Sequence, residues 1–271
     1  MATVMKLIGA NFSGRGLPNI APFIEMDDLN YAYDFRDKSL TDYTGKTTLR
    51  ALKNDINGNE KLVEDSSIVS PSVDGLGIVV DMGVLELNQL IKTIPLGGAE
   101  QFTIMVVGGY SGVPFSPDDI AGSNPTICSL YDYGTGISSS GFSIEVTPGS
   151  VIAGLRIEDN GAGLKTNLQS AIEPVCLFLT FDGNSWSLVN KTNGTTQTKT
   201  NAELNISSNP LVVSTNYSNK VKLGGHFHGS STLAALAPVL YQSAKWLKVL
   251  TPDEIEKQYN RTKATFGVIG I

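Results

Sequence analysis

Between Leu29 and Leu250 the chain is a succession of short β-type runs, each stopped by glycine, proline, asparagine or aspartate. That rhythm leaves few architectures open. "LNYAYDF" (29–35), "GLGIVVDMGVLELN" (75–88, broken near Asp81 to Gly83), "QFTIMVVGGY" (101–110), "PTICSLYDY", "GFSIEVTPG" and "VIAGLRIEDNG" follow one another. "VCLFLTFDGNSWSLVN" (175–190) reads as a hairpin turning at Asp182-Gly183-Asn184, and "NPLVVSTN", "NKVKLGG" and "PVLYQSAKWLKVL" continue the pattern. The 101–110 run is apolar at both parities, as for a strand covered on two faces. Long amphipathic helices are not expected; only short helical turns around Asp65 to Ser70 or Ala162 to Ile172 compete with the strands. The expectation is an all-β protein, a two-sheet antiparallel β-sandwich rather than a parallel α/β sheet.

One helix is signposted in full at the C-terminal end. In "LTPDEIEKQYNR" Thr251 suits the N-cap, Pro252 the first helical position, and Glu254 completes a capping box. Leu250 is placed to staple onto Ile255, and Ile255 and Tyr259 share a face four residues apart. This short helix is expected to cover one end of the sandwich. Residues 1–30 read as a docking arm: "NFSGRGLPNIAPF" is punctuated by Gly14, Gly16, Pro18 and Pro22, yet carries Leu17, Ile20, Phe23 and Ile24. Those apolar residues belong on a protein surface, either this domain's or a neighbour's. The domain then occupies 31–263, and "ATFGVIGI" (264–271) is an apolar tail.

With 271 residues, 41% hydrophobic and 17% charged, the chain is long enough for one large core. A net charge of -6 and a pI of about 5.0 give no electrostatic support for binding nucleic acid. No stretch approaches the ~18 apolar residues of a membrane span, and the opening residues lack the basic and apolar regions of a secretory signal. Cys128 and Cys176 are either two buried thiols or one cross-strand disulfide.

Several segments together resemble a laminin-G-like, concanavalin A-like jelly roll of the lectin and glucanase type. "YAYDFRDKSLTDYTGKTTL" is similar to its opening strand and loop, "GLGIVVDMGVLEL" to a strand pair, and "FTIMVVGGY" to the strand written F-T-[IL]-x-x-W, with Val107 or Gly108 near the tryptophan position. "LTFDGNSWSLVNKTNG" resembles the x-T-Y-D-G…L-Y-V-N-G hairpin, and "LYQSAKWLKVLTPDEIEKQY" the strand-and-helix ending. The resemblance covers most of Tyr31 to Tyr259 and departs at Tyr241 and Gln242, where the family's I-D-E stands. The fold it implies hosts lectins, glycosidases, adhesion modules and virion proteins.

Glycosidases of that fold need same-face acid pairs. Asp81 and Glu86 are of opposite parity, Glu145 stands alone, and Glu158 adjoins Asp159, so a non-enzymatic protein is expected. "TGKTT" (44–48) lacks the leading glycine of a phosphate loop. Tyr131 and Tyr133 share a strand face with Asp132 opposite, so "LYDYGTG" is the leading carbohydrate-contact candidate; the same tyrosines also suit strand core. Trp186 is either a hairpin packing residue or a stacking platform, and His226 and His228 are either metal or sugar contacts, with no third metal ligand identifiable, or loop-edge imidazoles. No cofactor is expected. No metal ligand set is defined, although Asp118, Asp119, Asp159 and Asn160 suit Ca²⁺ chemically. A fold typical of extracellular proteins, without an export signal, fits a bacteriophage virion protein made in the host cytoplasm. Such a tail, fibre, spike or capsid-decoration protein would be a homo-oligomer that meets other virion subunits and host glycans, without nucleic-acid or membrane partners. The alternative is a soluble lectin-like or glycosidase-associated carbohydrate-binding module.

Overall fold

The computed structural model describes residues 23–24, 27–36, 48–50, 61–64, 69–72, 74–80, 85–90, 101–111, 126–131, 141–147, 152–157, 162–167, 174–204, 220–223 and 237–271. They form two antiparallel sheets. The first contains β1 (Leu29–Asp34), β4 (Val69–Pro71), β5 (Ile78–Val80), β7 (Phe102–Ser111), β12 (Val175–Phe181), β13 (Ser185–Asn190), β14 (Thr195–Thr200) and β16 (Ala237–Trp246). The second contains β2 (Thr48–Arg50), β3 (Lys61–Glu64), β6 (Leu85–Leu90), β8 (Thr126–Tyr131), β9 (Gly141–Thr147), β10 (Ile152–Ile157), β11 (Ala162–Asn167) and β15 (Lys220–Leu223). The orders are β14-β13-β12-β7-β16-β5-β4 and β11-β10-β9-β8-β15-β6-β3-β2, with β1 also paired to β16. β10 and β11 lie against β13 and β14, and β8 against β7 and β16. The expected two-sheet sandwich is therefore the fold.

The strands at the centre explain its stability. β7, β12 and β16 are buried on both faces wherever their side chains are described. One parity (Phe102, Ile104, Val106, Leu177, Leu179, Phe181) faces the second sheet. The other (Met105, Val107, Cys176, Phe178, Ala244, Trp246) forms a separate core with Phe23, Leu250, Ile255, Tyr259 and Phe266. Each fully buried large side chain contributes about 2 kcal/mol of apolar transfer. Both faces of one sheet are thus apolar because both are covered.

The cover on the outer face is α1 (Pro252–Phe266), followed by a 3-10 turn (Gly267–Ile269). Thr251 Oγ1 accepts from Glu254 N and the Glu254 carboxylate accepts from Thr251 N, the capping box read from the sequence. Lys248 donates to Glu254 Oε1 at 2.7 Å, and that bond chiefly holds the Glu254 carboxyl below its ordinary value. The helix lies across the outer face of the first sheet rather than over an end of the sandwich: Thr262 Oγ1 donates to Gln242 of β16 at 3.0 Å and approaches Met105 Sδ of β7. Met105, Val107, Phe178 and Ala244 form a continuous apolar face there, packed with Ile255, Tyr259 and Phe266 of the helix in one buried cluster. The helix also runs through 264–266, so the boundary expected after residue 263 falls inside it. Phe266 and Ile271 are buried in this domain's own core, while Val268 stays exposed.

Two other expectations change. Ala162–Asn167 is strand β11, not a helical turn, and residues 69–70 begin β4. "AGLKTN" pairs residue for residue with β10, which outweighs its modest helical propensity. Cys176 is a free, buried thiol. "NPLVVSTN" lies outside the described residues.

The β4–β5 hairpin is pinned to the sheet by a carboxylate. Asp74 accepts from Ser72 Oγ, from Leu76 N at 2.9 Å and from Tyr241 Oη at 2.8 Å. Burial works to raise the Asp74 carboxyl, but the three donors outweigh it and hold it below the ordinary carboxylate value. Burial and the Asp74 charge push the Tyr241 phenol upward in turn. Because the folded-state value of Asp74 is depressed, its stabilising contribution is present above the unfolded value and disappears as pH falls through the folded one. Asp74→Asn is therefore expected to flatten the loss of stability below about pH 4, as read by urea unfolding at a series of pH values. An unchanged acid limb would show that these bonds do not form.

Candidate binding surface

The hairpin β12–β13 turns where the sequence signals it. Asp182 Oδ1 accepts from Asn184 N and Ser185 N, and Gly183 takes φ 99°. The next turn, 191–194, is built from asparagines. Asn190 Oδ1 accepts from Thr192 N and Asn193 N, Asn193 Oδ1 accepts from Thr195 N, and Gly194 takes φ 72°. These turns set the register of β12, β13 and β14, and the register aligns hydroxyls. Thr103, Thr180, Ser187 and Thr198 stand side by side across β7, β12, β13 and β14. Ser185 and Thr200 form a second row.

These rows share the outer face with α1 but lie toward the β14 edge. Thr103 is fully committed: its hydroxyl donates to Lys248 O and accepts from Leu250 N, both at 2.9 Å. Ser187 and Thr198 share one hydrogen bond of 2.9 Å at the surface, next to exposed Thr196. Glu203 closes the far end by accepting from Thr200 N and Oγ1, bonds that lower its carboxyl. On the α1 side, Lys191 Nζ pairs with Glu256 Oε2 at 2.6 Å, and this bond is the main reason the Glu256 carboxyl sits below its ordinary value. The Lys191 and Lys263 ammonium groups lie 5.3 and 5.7 Å from the centroid of the Tyr259 ring. Thr103 and Thr180 are buried, so the accessible part is a polar face of hydroxyls on β13 and β14, which both donate and accept, bordered by the Lys191–Glu256 ion pair. Such a face suits hydrogen bonding to a polyhydroxylated ligand.

Only some of the sequence candidates fall on described residues. Tyr131 ends β8, paired with Gly141 of β9. Asp132, Tyr133, His226 and His228 lie outside the described residues, as do Asp118, Asp119, Asp159 and Asn160. Trp186 is wholly buried between the sheets with Phe181 and Phe102, at ring-centroid distances of 4.3 and 6.1 Å. Its Nε1 donates to Asn201 Oδ1 at 2.8 Å. An indole without an exposed face cannot stack on a sugar, so Trp186 is a packing residue of the hairpin and not a stacking platform. Burial pushes the Cys176 thiol far above its ordinary range, which keeps it protonated and unreactive. Among the described residues no group of three or more His, Cys, Asp or Glu side chains is placed to hold a metal. The Ser/Thr rows leave little trace in the sequence because "TTQTKT" carries no apolar alternation; the recurrence of Thr at 196, 198 and 200 is the signal it does carry.

No protein-family model and no curated protein matches the chain. Solved structures do. The binding domain of botulinum neurotoxin DC, in complex with rat synaptotagmin II, aligns at 12% identity with a TM-score of 0.57, over 86% of this chain and 52% of that one. The botulinum neurotoxin serotype G binding domain aligns at 10% identity and 0.56, over 87% and 51%. Trypanosoma rangeli sialidase in complex with sialic acid aligns at 9% and 0.53, over 88% and 34%. The likeness is one of fold. The chain is a two-sheet antiparallel β-sandwich like theirs, and it spans about half the length, or less, of these structures.

Proposed function

We propose that this chain is a non-enzymatic binding module of a bacteriophage particle (tail, fibre, spike or capsid decoration) whose β-sandwich meets neighbouring subunits and a host glycan. The observation that carries the binding part is the in-register hydroxyl face on β13 and β14, held on a framework whose solved counterparts include neurotoxin binding domains and a sialidase bound to sialic acid. Three acidic side chains near it are engaged in structural bonds: Glu256 with Lys191, Glu254 with the helix cap, and Glu203 with Thr200. The virion setting extends the reading of an apolar, Gly/Pro-punctuated arm attached to a lectin-like jelly roll.

A glycan array with the full chain tests the reading. Binding without release of sugar from a polysaccharide panel is expected. The Ser187→Ala, Thr198→Val double variant is expected to weaken binding at least tenfold, a loss of about 1.4 kcal/mol. It removes two exposed hydroxyls while leaving the core intact, so its folding stability is expected to change by less than about 1 kcal/mol. Tyr131→Ala and Tyr133→Ala report on the other proposed surface. A blank array removes the glycan, hydrolysis removes the non-enzymatic assignment, and loss confined to the tyrosine variants moves the site.

A further inference from the structure

The hydroxyl face of β13 and β14 carries a fixed negative charge at one end. Thr196, Thr198 and Thr200 share one parity of β14, and Ser187 and Ser185 stand opposite Thr198 and Thr200 on β13. Thr200 is joined to Glu203. Its N and its Oγ1 donate to Glu203 Oε2 at 2.7 and 2.8 Å, and Glu203 N donates back to Thr200 Oγ1 at 3.2 Å. This reciprocal pairing is a capping box around the turn 201–204, and it holds the carboxylate at the last hydroxyl of the row. The donors are neutral. The bond from the Thr200 backbone N–H, and then that from its hydroxyl, keep the Glu203 carboxyl below its ordinary value, so the exposed group stays charged. A second carboxylate lies at the same end. Asn201 N donates to the Asn184 carbonyl at 2.7 Å, which ties this turn to the turn 182–184. There the exposed Asp182 accepts at Oδ1 from Asn184 N and Ser185 N, at 2.9 and 2.7 Å. The ammonium groups on the α1 side are committed to carboxylates of their own, Lys191 to Glu256 at 2.6 Å and Lys248 to Glu254 at 2.7 Å. Lys199 has the opposite parity, paired with the buried Trp186. A ligand laid along β13 and β14 thus meets neutral hydroxyls and, at this end, two carboxylates.

We infer that this face takes a neutral glycan and turns away carboxylated or sulfated ones, with Glu203 as the main discriminating residue and Asp182 as the second. The inference rests on the proposed glycan-binding reading and names the ligand class of that same face. Specificity is a difference of affinities, and a repulsive group contributes to it as much as an attractive one. The serine and threonine hydroxyls supply the attraction, since they donate to and accept from the hydroxyls of any sugar. The carboxylates supply the repulsion. A like charge about 4 Å away in water weakens binding roughly fivefold, so the two together give at least about tenfold. Because Glu203 and Asp182 are exposed, added salt screens this repulsion.

The test is a printed array of matched triplets, each a neutral oligosaccharide, the same one carrying a terminal sialic acid, and the same one sulfated. The full chain at low salt is expected to bind the neutral members at least about tenfold more tightly than their acidic partners, and the gap is expected to shrink in about 0.5 M salt. Glu203→Gln keeps an acceptor for Thr200 N and removes the charge. It is expected to narrow the gap at least about threefold while neutral binding stays within about twofold. Asp182→Asn serves as the second variant should Glu203→Gln fail to fold by circular dichroism. Asp27→Asn is the control: it changes the net charge equally, but the exposed Asp27 precedes β1, which pairs with β16 and not with β13 or β14. It is expected to leave the gap unchanged. Acidic members bound by the wild-type chain as tightly as neutral ones overturn the neutral-ligand assignment and leave glycan binding standing. A gap that Asp27→Asn narrows as much as Glu203→Gln belongs to the charge of the whole chain and overturns the role of Glu203. A gap that neither Glu203→Gln nor Asp182→Asn narrows overturns it likewise. An array blank for every member removes the glycan reading itself, and this inference with it.

Discussion

Trp246→Ala is expected to remove about 4 kcal/mol of folding stability, the range of a large buried aromatic truncated in a core that collapses only partly. Three separate losses coincide there. The indole is fully buried, with Phe23 edge-on to it, so truncation opens a cavity between β16 and the arm. The Ile24 carbonyl loses its donor, and an orphaned buried acceptor costs about 1–3 kcal/mol. The register that places Leu29 opposite Trp246 also loses its side-chain contact at the start of β1. Trp246→Phe keeps most of the buried area and loses the hydrogen bond, so about 2 kcal/mol is expected. Urea unfolding of both variants separates cavity from hydrogen bond. A loss below about 1 kcal/mol for Trp246→Ala would mean that the arm does not occupy this groove.

Gly77→Ala is the second large effect, with an expected loss of about 3 kcal/mol, at the upper end for overpacking. A Cβ at residue 77 would lie 2.5 Å from the Leu240 carbonyl oxygen and 2.8 Å from Tyr241 Cδ1. Neither yields easily. The carbonyl belongs to β16, which pairs with β5 at Leu240 and Ile78. The tyrosine is tied to Asp74 and meets the Phe266 ring at 5.6 Å. Gly75 is the control: it has open space around it but takes φ 68°. Gly75→Ala is expected to cost about 1 kcal/mol, from backbone strain alone. Thermal unfolding of the pair checks the order; equal losses would place the cost in backbone conformation rather than in close approach.

The central strands and the helix were legible because their signals are local. "FTIMVVGG" and "VCLFLTF" are apolar at both parities, and both prove to be covered on two faces. Thr251, Pro252 and Glu254 announce the helix start to the residue. β14 was not seen because a polar edge strand satisfies its backbone by pairing with β13 and needs no buried alternation. Trp186 illustrates the limit for sites. A tryptophan in a hairpin has the same sequence signature whether it stacks on a ligand or on Phe181; only its complete burial decides. The hydroxyl rows are invisible for a related reason, since Thr103, Thr180, Ser187 and Thr198 become neighbours only once three registers are set.

Local chemistry was therefore enough for the class of fold, the positions of its main strands and the cap of its C-terminal helix. Apolar periodicity, turn residues and capping pairs act within a few positions of one another. The face that α1 covers, the seating of Phe23 and Ile24 beneath it, and the buried bridge from Ile24 through Gln258, Thr262 and Gln242 to Asp34 were decided by the assembled sheets. These contacts join residues up to 234 positions apart. Buried polar groups take whichever partner packing leaves within hydrogen-bond reach, and no short-range pattern encodes that choice.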